Sequence, residues 1–389
     1  MIVYSKQSIS LRDAIRVGLQ VKNRSLTQGL EINKFEESVA SYVGAKYAVA
    51  VSSATAGLHL AHLVVGNPIG SQVATSPFSF VASANSIIYA NQVPFFVDID
   101  SETGNISVEQ LMKILDKEKI KTVVPVHYSG VPCDMERISE ICRAKNIHII
   151  EDAAHALGAT YSTGEKVGSC AYSDLTVFSF HPVKSITTGE GGMITTNNLQ
   201  YYKALLKLRS HGIHKNELEF ENEMFSYTGG KPNTWYYEME LLGYHYRLTE
   251  IQAVLGSSQL KKIERFMSKR KKIAKFYDTQ ILKIENIQGM NSSQRDLSAN
   301  HLYPIKINFA KISKSRNQIM SELKDLGIIT QVHYIPIPVH PFYKKLGYQF
   351  TKVPNAMNLY YQILSIPIHP ELSRRDQKKV LKSLKKIIA

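Results

Sequence analysis

The chain is poor in cysteine: Cys133, Cys142 and Cys170 are the only three in 389 residues, and no two form a CxxC pair. That scarcity excludes a disulfide framework and a thiolate metal cluster, leaves no metal expected, and fits a reducing compartment. The first residues, MIVYSKQSISLRDAIR, lack the apolar core of a secretory leader, so the cytoplasm is the expected location. Between Tyr47 and Val97 there is no Asp, Glu, Lys or Arg at all. Small polar residues, glycines and prolines interrupt this stretch every few positions, whereas a spanning helix needs about 20 continuous apolar residues. The segment therefore reads as the buried part of an α/β core. With 14 prolines and 22 glycines the chain has neither a collagen-like nor a disordered composition.

Charge of one sign is in excess. The formal net charge of +14 favours an anionic partner, but much of it lies in helical runs such as Lys261 to Lys272 and Lys378 to Lys386, where a solvated face explains it. No zinc knuckle or RNA-binding signature accompanies the charge, so no nucleic-acid partner and no membrane partner is expected.

A chain of this length implies a large domain with a smaller companion. Short β-rich runs recur at YAVAV (47–51), QVAT (72–75), VPFFVDI (93–99), TVVPV (122–126), IHII (147–150), LTVFSF (175–180) and GMITT (192–196), with helical patterns between several of them. The alternation predicts a mainly parallel seven-stranded sheet flanked by helices within residues 1–250. A long amphipathic helix over about 249–282 should link it to a smaller α+β unit within residues 251–389. That unit would hold HLYPIKI (301–307), a helix near Ser313 to Leu326, IITQVHYIPI and a basic terminal helix.

Ligands of open α/β sheets gather beyond the carboxyl ends of the strands, and three such places carry suitable chemistry. In IIEDAAHALG, Asp152 follows a strand buried on both faces, where a carboxylate needs a cation or several hydrogen bonds; capping the next helix is the plain alternative. His155 follows three residues later. In LTVFSFHPVKSITTGEGGMITT, Ser179 could bind a phosphate, and Lys184 lies in a polar turn before Gly189, Gly191 and Gly192. A lysine with a depressed pKa is a usable amine for Schiff-base chemistry. In VSSATAGLHL a strand ends in small hydroxylated residues and turns into a helix, an anion-binding arrangement that also suits a simple cap.

With LTQG (26–29), TSPFSFVASAN (75–85), RSHGI (209–213), GYHYRLTEIQAVLG (243–256) and QVHYIPI (331–337) in the same order, the sequence resembles the DegT/DnrJ/EryC1/StrS family of sugar aminotransferases over nearly its whole length. The resemblance implies the type I pyridoxal 5′-phosphate transferase fold, like that of aspartate aminotransferase. It implies that Lys184 carries the cofactor as a Schiff base and that Asp152 pairs with the pyridinium nitrogen. His155 would lie beside the ring, Phe80 would stack on it, and Ala54, Thr55 and Ser179 would hold its phosphate. Because the family's active sites lie between subunits, the resemblance implies a homodimer; the family asparagine that reaches the neighbouring subunit's cofactor phosphate is here His245, which departs from the pattern but can donate the same hydrogen bond.

The segment KPNTWYYEMELLGYHYRLTEIQ further resembles members that aminate C4 of a UDP-linked 4-keto-6-deoxy N-acetyl sugar, with pyridoxamine 5′-phosphate as intermediate and L-glutamate as donor. His181, Trp235, Tyr236, Arg247, His333 and Tyr334 are then candidate substrate contacts, and Phe80 also faces the substrate. Arg209, like Arg247, is a candidate for substrate phosphates or for a structural ion pair. Dehydratase relatives replace the lysine by histidine, and Lys184 argues against that reading. A non-catalytic basic binding protein is suggested only by net charge.

Overall fold

The computed structural model describes residues 1–216 and 220–388. Two helices open the chain, α1 (Leu11–Asn23) and α2 (Glu31–Val43). The charge-free stretch then supplies β1 (Tyr47–Val51), α3 (Ala54–Val64), β2 (Gln72–Thr75), α4 (Ala82–Tyr89) and β3 (Val93–Phe96). Next come α5 (Val108–Leu115), β4 (Ile120–Val124), α6 (Met135–Ala144), β5 (His148–Asp152), β6 (Leu175–Ser179), β7 (Gly192–Thr196) and α7 (Leu199–Leu208).

The seven strands form one sheet in the order β1, β7, β6, β5, β4, β2, β3. All seven expected runs are strands, and only β7 runs antiparallel to its neighbours, β1 and β6. Several limits move for identifiable reasons. VPFFVDI ends as a strand at Phe96, because Asp98 turns to accept the N–H groups of Asn355 and Ala356. Pro94, which has no N–H to give to a ladder, sits where it costs least, on the edge strand β3. β4 stops before Pro125, whereas β5 runs two residues past the expected end and so carries Asp152 to its tip.

Helix packing explains the buried charge of Glu250. α2 has no side-chain cap of its own; instead the Glu250 carboxylate accepts from the backbone of Gly29, Glu31 and Ile32. Gly256 lies against Phe35, whose ring atoms would stand 2.5 Å from an added Cβ, and this lets the helix carrying Glu250 close on α2.

Beyond α7 the chain makes two short strand pairs. β8 (Ile213–His214) pairs with β11 (Glu238–Met239), and after the short α8 (Glu223–Ser226), β9 (Tyr227–Thr228) pairs with β10 (Lys231–Pro232). The linking helix is not continuous. It breaks into α9 (Glu250–Leu260) and α10 (Ile263–Ile281) where Lys262 leaves helical geometry and pairs with the buried Asp13 of α1. A three-stranded antiparallel sheet, β12 (Ile287–Gly289), β13 (Tyr303–Ile307) and β14 (Ile363–Ile366), follows, with α11 (Arg316–Asp325), α12 (Pro341–Lys345), α13 (Pro354–Gln362) and α14 (Arg374–Ile388). Its core includes Ile305, Ile319, Leu364 and Leu384. The expected helix near Ser313 starts only at Arg316, because Ser315 makes a reciprocal cap with Gln318. IITQVHYIPI forms no strand and instead runs irregularly along β14, held by the Gln331–Ser365 bridge. No helix among the described residues is long and apolar enough to cross a membrane.

Candidate active site

The carboxyl ends of β1, β5 and β6 open on one cavity of about 530 Å³. Ser53, two residues beyond β1, caps α3 by accepting from the N–H of Ala56 at 3.1 Å. Ala54 and Thr55 are the first two residues of that helix and line the cavity, so their N–H groups have no acceptor one turn back within the helix. An added Cβ at Gly192 would meet Ala54 N at 2.7 Å, so only a glycine lets β7 lie against this cradle.

Asp152 ends β5 and is 5% exposed. Ser83 of α4 donates to its Oδ2 at 2.6 Å and the Ala154 N–H to its Oδ1 at 3.2 Å, which together hold the buried carboxylate in one orientation. Ser179 ends β6. The chain then turns back on itself through Phe180 to Gly191, tied by Phe180 N–H to Gly191 O at 2.9 Å and Thr188 N–H to Phe180 O at 3.0 Å. Gly189 supplies a φ of +84° in this turn, a conformation that suits glycine. Lys184 projects from the turn into the same cavity as Asp152. Burial of its amine pushes its pKa down to about 8, although Asp152 pulls it the other way.

Around Lys184 stand uncharged rings. His155 Nε2 meets the Tyr334 hydroxyl at 3.0 Å, while its buried Nδ1 has no hydrogen-bond partner among the described residues. His301 lies 4.5 Å from His155 between ring centroids. Burial, then Lys184 and His333, lowers the pKa of His155; burial, then His155, Lys184 and Arg270, lowers that of His301. His333, bound to Ser365 Oγ at 2.9 Å, is pushed down to about 3 by burial and by Lys184. Phe80 is 59% exposed and its ring lies 6.4 Å from that of Tyr334. His181 lines the rim, 3.9 Å from Glu190.

One cavity thus gathers Lys184, Asp152, His155, Ser179, Ala54, Thr55, Phe80, His181, His333 and Tyr334. Trp235, Tyr236, His245 and Arg247 do not line it. Trp235 is 67% exposed on the segment beyond α8, and His245 Nε2 is 3.2 Å from Arg247, which can only donate, so this nitrogen accepts. Arg209 is engaged elsewhere: it forms a structural ion pair with Glu36 and donates to Ala50 O at 2.7 Å. Ser83 and His301 were not singled out by the sequence. Ser83 lies inside the TSPFSFVASAN segment and His301 beside a strand, but no spacing rule ties either to Asp152 or His155.

The donor set suits pyridoxal 5′-phosphate: free helix N–H groups for a phosphate, a buried carboxylate for a cationic ring nitrogen, and a desolvated lysine for an aldehyde. Comparison with known proteins agrees, since residues 12–385 match the DegT/DnrJ/EryC1/StrS aminotransferase family. The chain belongs to that family. It is a pyridoxal 5′-phosphate-dependent aminotransferase with the type I fold.

The aminotransferase is 38% identical over 390 residues to the UDP-4-amino-4,6-dideoxy-N-acetyl-beta-L-altrosamine transaminase of Campylobacter jejuni serotype O:2, covering 100% of this chain and 98% of that one. Among solved structures it is similar to Helicobacter pylori PseC, an aminotransferase involved in the biosynthesis of pseudoaminic acid. There the TM-score is 0.90 and the identity 30%, with 100% of this chain and 99% of that one covered. The putative sugar aminotransferase Spr1654 of Streptococcus pneumoniae in its PMP form matches with a TM-score of 0.89 at 29% identity, over 100% of this chain and 99% of that one.

Proposed function

We propose that the aminotransferase aminates C4 of a nucleotide-linked 4-keto-6-deoxy sugar, UDP-2-acetamido-2,6-dideoxy-β-L-arabino-hexos-4-ulose, with L-glutamate as amino donor. The product would be a UDP-4-amino-4,6-dideoxy sugar for pseudaminic acid-type glycans. The observation that carries this reading is the end-to-end similarity to the Campylobacter jejuni transaminase in a chain whose cavity holds both Lys184 and Asp152.

Pyridoxal phosphate, when bound, supplies an electron sink that carries the amino group between the two substrates. The Ala54 and Thr55 N–H groups and the Ser179 hydroxyl would hold its phosphate, and Asp152 would keep the proton on its ring nitrogen. Phe80 would pack on the ring and His155 would bound its edge. Lys184 would anchor the cofactor covalently at rest and, once displaced, serve as the amine that moves a proton, because its pKa near 8 leaves it able both to take and to give one at neutral pH. His181, His333 and Tyr334 would face the sugar.

The segment that includes Met224, Trp235, Met239 and Leu242 presents large apolar side chains to solvent, each more than 60% exposed. Such a patch suits burial against a second copy of the chain, which would bring His245 and Arg247 of one protomer towards the cofactor phosphate of the other. Light scattering tests the dimer. The activity test offers L-glutamate with UDP-, dTDP- and GDP-linked keto sugars; turnover of the UDP-linked 4-keto sugar alone is expected, and preference for another nucleotide or a 3-keto sugar would overturn the assignment.

A further inference from the structure

The turn that follows β4 starts on the main sheet and ends against the segment that leads into β13. At its start Val126 bridges Asp152 and the His127 N–H donates to Asp152 O at 3.1 Å, so the turn is anchored on the tip of β5. Further on, the carbonyls of Ser129 and Gly130 accept from the N–H groups of His301 and Ala299, each at 3.0 Å. Between these anchors stands Tyr128, 1% exposed. Its N–H donates to Asn105 Oδ1 at 2.9 Å, and its ring lies 5.3 Å from that of Phe78. Gly104 packs so closely on the same ring that an added Cβ would stand 2.6 Å from it.

The ring of Tyr128 is thus set by the main domain, but its hydroxyl leaves that domain and donates to His333 O at 2.7 Å. That carbonyl belongs to the peptide leading into Tyr334, in a segment that forms no strand of its own. On its other side His333 is held by Ser365 Oγ at 2.9 Å and packs on the Tyr4 ring, 5.4 Å away between centroids. Tyr334 in turn faces His155, with ring centroids 6.0 Å apart at an angle of 17° and its hydroxyl 3.0 Å from Nε2. Burial, with Tyr334 nearby, pushes the Tyr128 phenol well above its ordinary pKa, so the hydroxyl stays a donor across the neutral range. Removing a buried donor is costly, because the carbonyl left behind has no water to turn to.

We infer that Tyr128 is a positioning residue: it ties the irregular segment 331–337 to the main domain, so that Tyr334 stays on His155 at the edge of the cofactor. This rests on the placement of His155 beside the cofactor ring proposed above. The test follows the absorbance of the bound cofactor against pH, a reading that needs no substrate, in Tyr128→Phe, Tyr334→Phe and the double variant. Thermal unfolding verifies that each is folded. Both single variants should move the titration midpoint in the same direction, by about 0.3 to 1 pH unit for one hydrogen bond between neutral groups. Because Tyr128 acts through Tyr334, the double variant should shift no further than Tyr334→Phe alone. Exchange of the amide hydrogens of 331–337 should also quicken in Tyr128→Phe, and unchanged exchange would overturn the tie. A shift in Tyr334→Phe with none in Tyr128→Phe, or two shifts that add, would end the role of Tyr128 while leaving His155 in place. A bound cofactor whose midpoint ignores Tyr334→Phe would remove the placement of His155 and this inference together.

Discussion

Stripping the cofactor and offering pyridoxal phosphate back at a series of pH values converts the burial of Lys184 into a rate. Only the neutral amine attacks an aldehyde. With a pKa of about 8 in place of the ordinary 10.5, the neutral fraction at pH 7 is raised. The gain is from roughly 0.03% to roughly 9%, about 300-fold. The sign follows directly: lowering the pKa moves the titration towards neutrality, so covalent uptake should climb about tenfold per pH unit below pH 7 and level off above about 8 to 9. Stopped-flow absorbance of the cofactor, with Lys184→Ala as the non-covalent control, reads this curve. A rate that keeps rising through pH 10 would show a lysine with ordinary basicity and refute the claim that desolvation outweighs the nearby Asp152 carboxylate.

Other consequences are open to measurement. Asp152→Asn should keep binding pyridoxal phosphate, seen as absorbance surviving dialysis, yet lose transamination by orders of magnitude; preserved turnover would break the assigned pairing with the ring nitrogen. Ser83→Ala removes the 2.6 Å hydrogen bond that orients the buried Asp152 carboxylate, so kcat should fall about tenfold while pyridoxal phosphate stays bound, and an unchanged kcat would show that this bond does not position the carboxylate. Gly130→Ala would place a Cβ 2.8 Å from His155 O at a φ of +94°. Urea denaturation should show a loss of about 1–3 kcal/mol, and an unchanged midpoint would mean that the His155 segment shifts freely.

The sequence carried most of what is local. Asp152, Ser179 and Lys184 were legible because each follows an apolar run, and a strand in an open sheet places its end at the ligand crevice. The charge-free stretch announced burial, and it became three strands and two helices of the main sheet. What stayed hidden depends on residues far apart in the chain. Ser83 reaches Asp152 across 69 positions, and His301 meets His155 only because Gly130, with no side chain, lets the two segments close up. Tyr4 is separated from His333 by almost the whole chain. The break between α9 and α10 was equally invisible, since an unbroken amphipathic period gives no hint that Lys262 will leave the helix to neutralise Asp13. For Arg209, sequence left two fates open, and the neighbouring Glu36 chose between them.

The turn between β6 and β7 holds its shape by main-chain bonds, glycine torsions and the Thr187 hydroxyl, with no help from the amine it presents. The frame is therefore indifferent to which side chain stands at position 184. Exchanging that one residue changes whether the coenzyme is tethered or merely lodged, without asking the rest of the molecule to rebuild, so a new chemistry on this scaffold lies a single codon away.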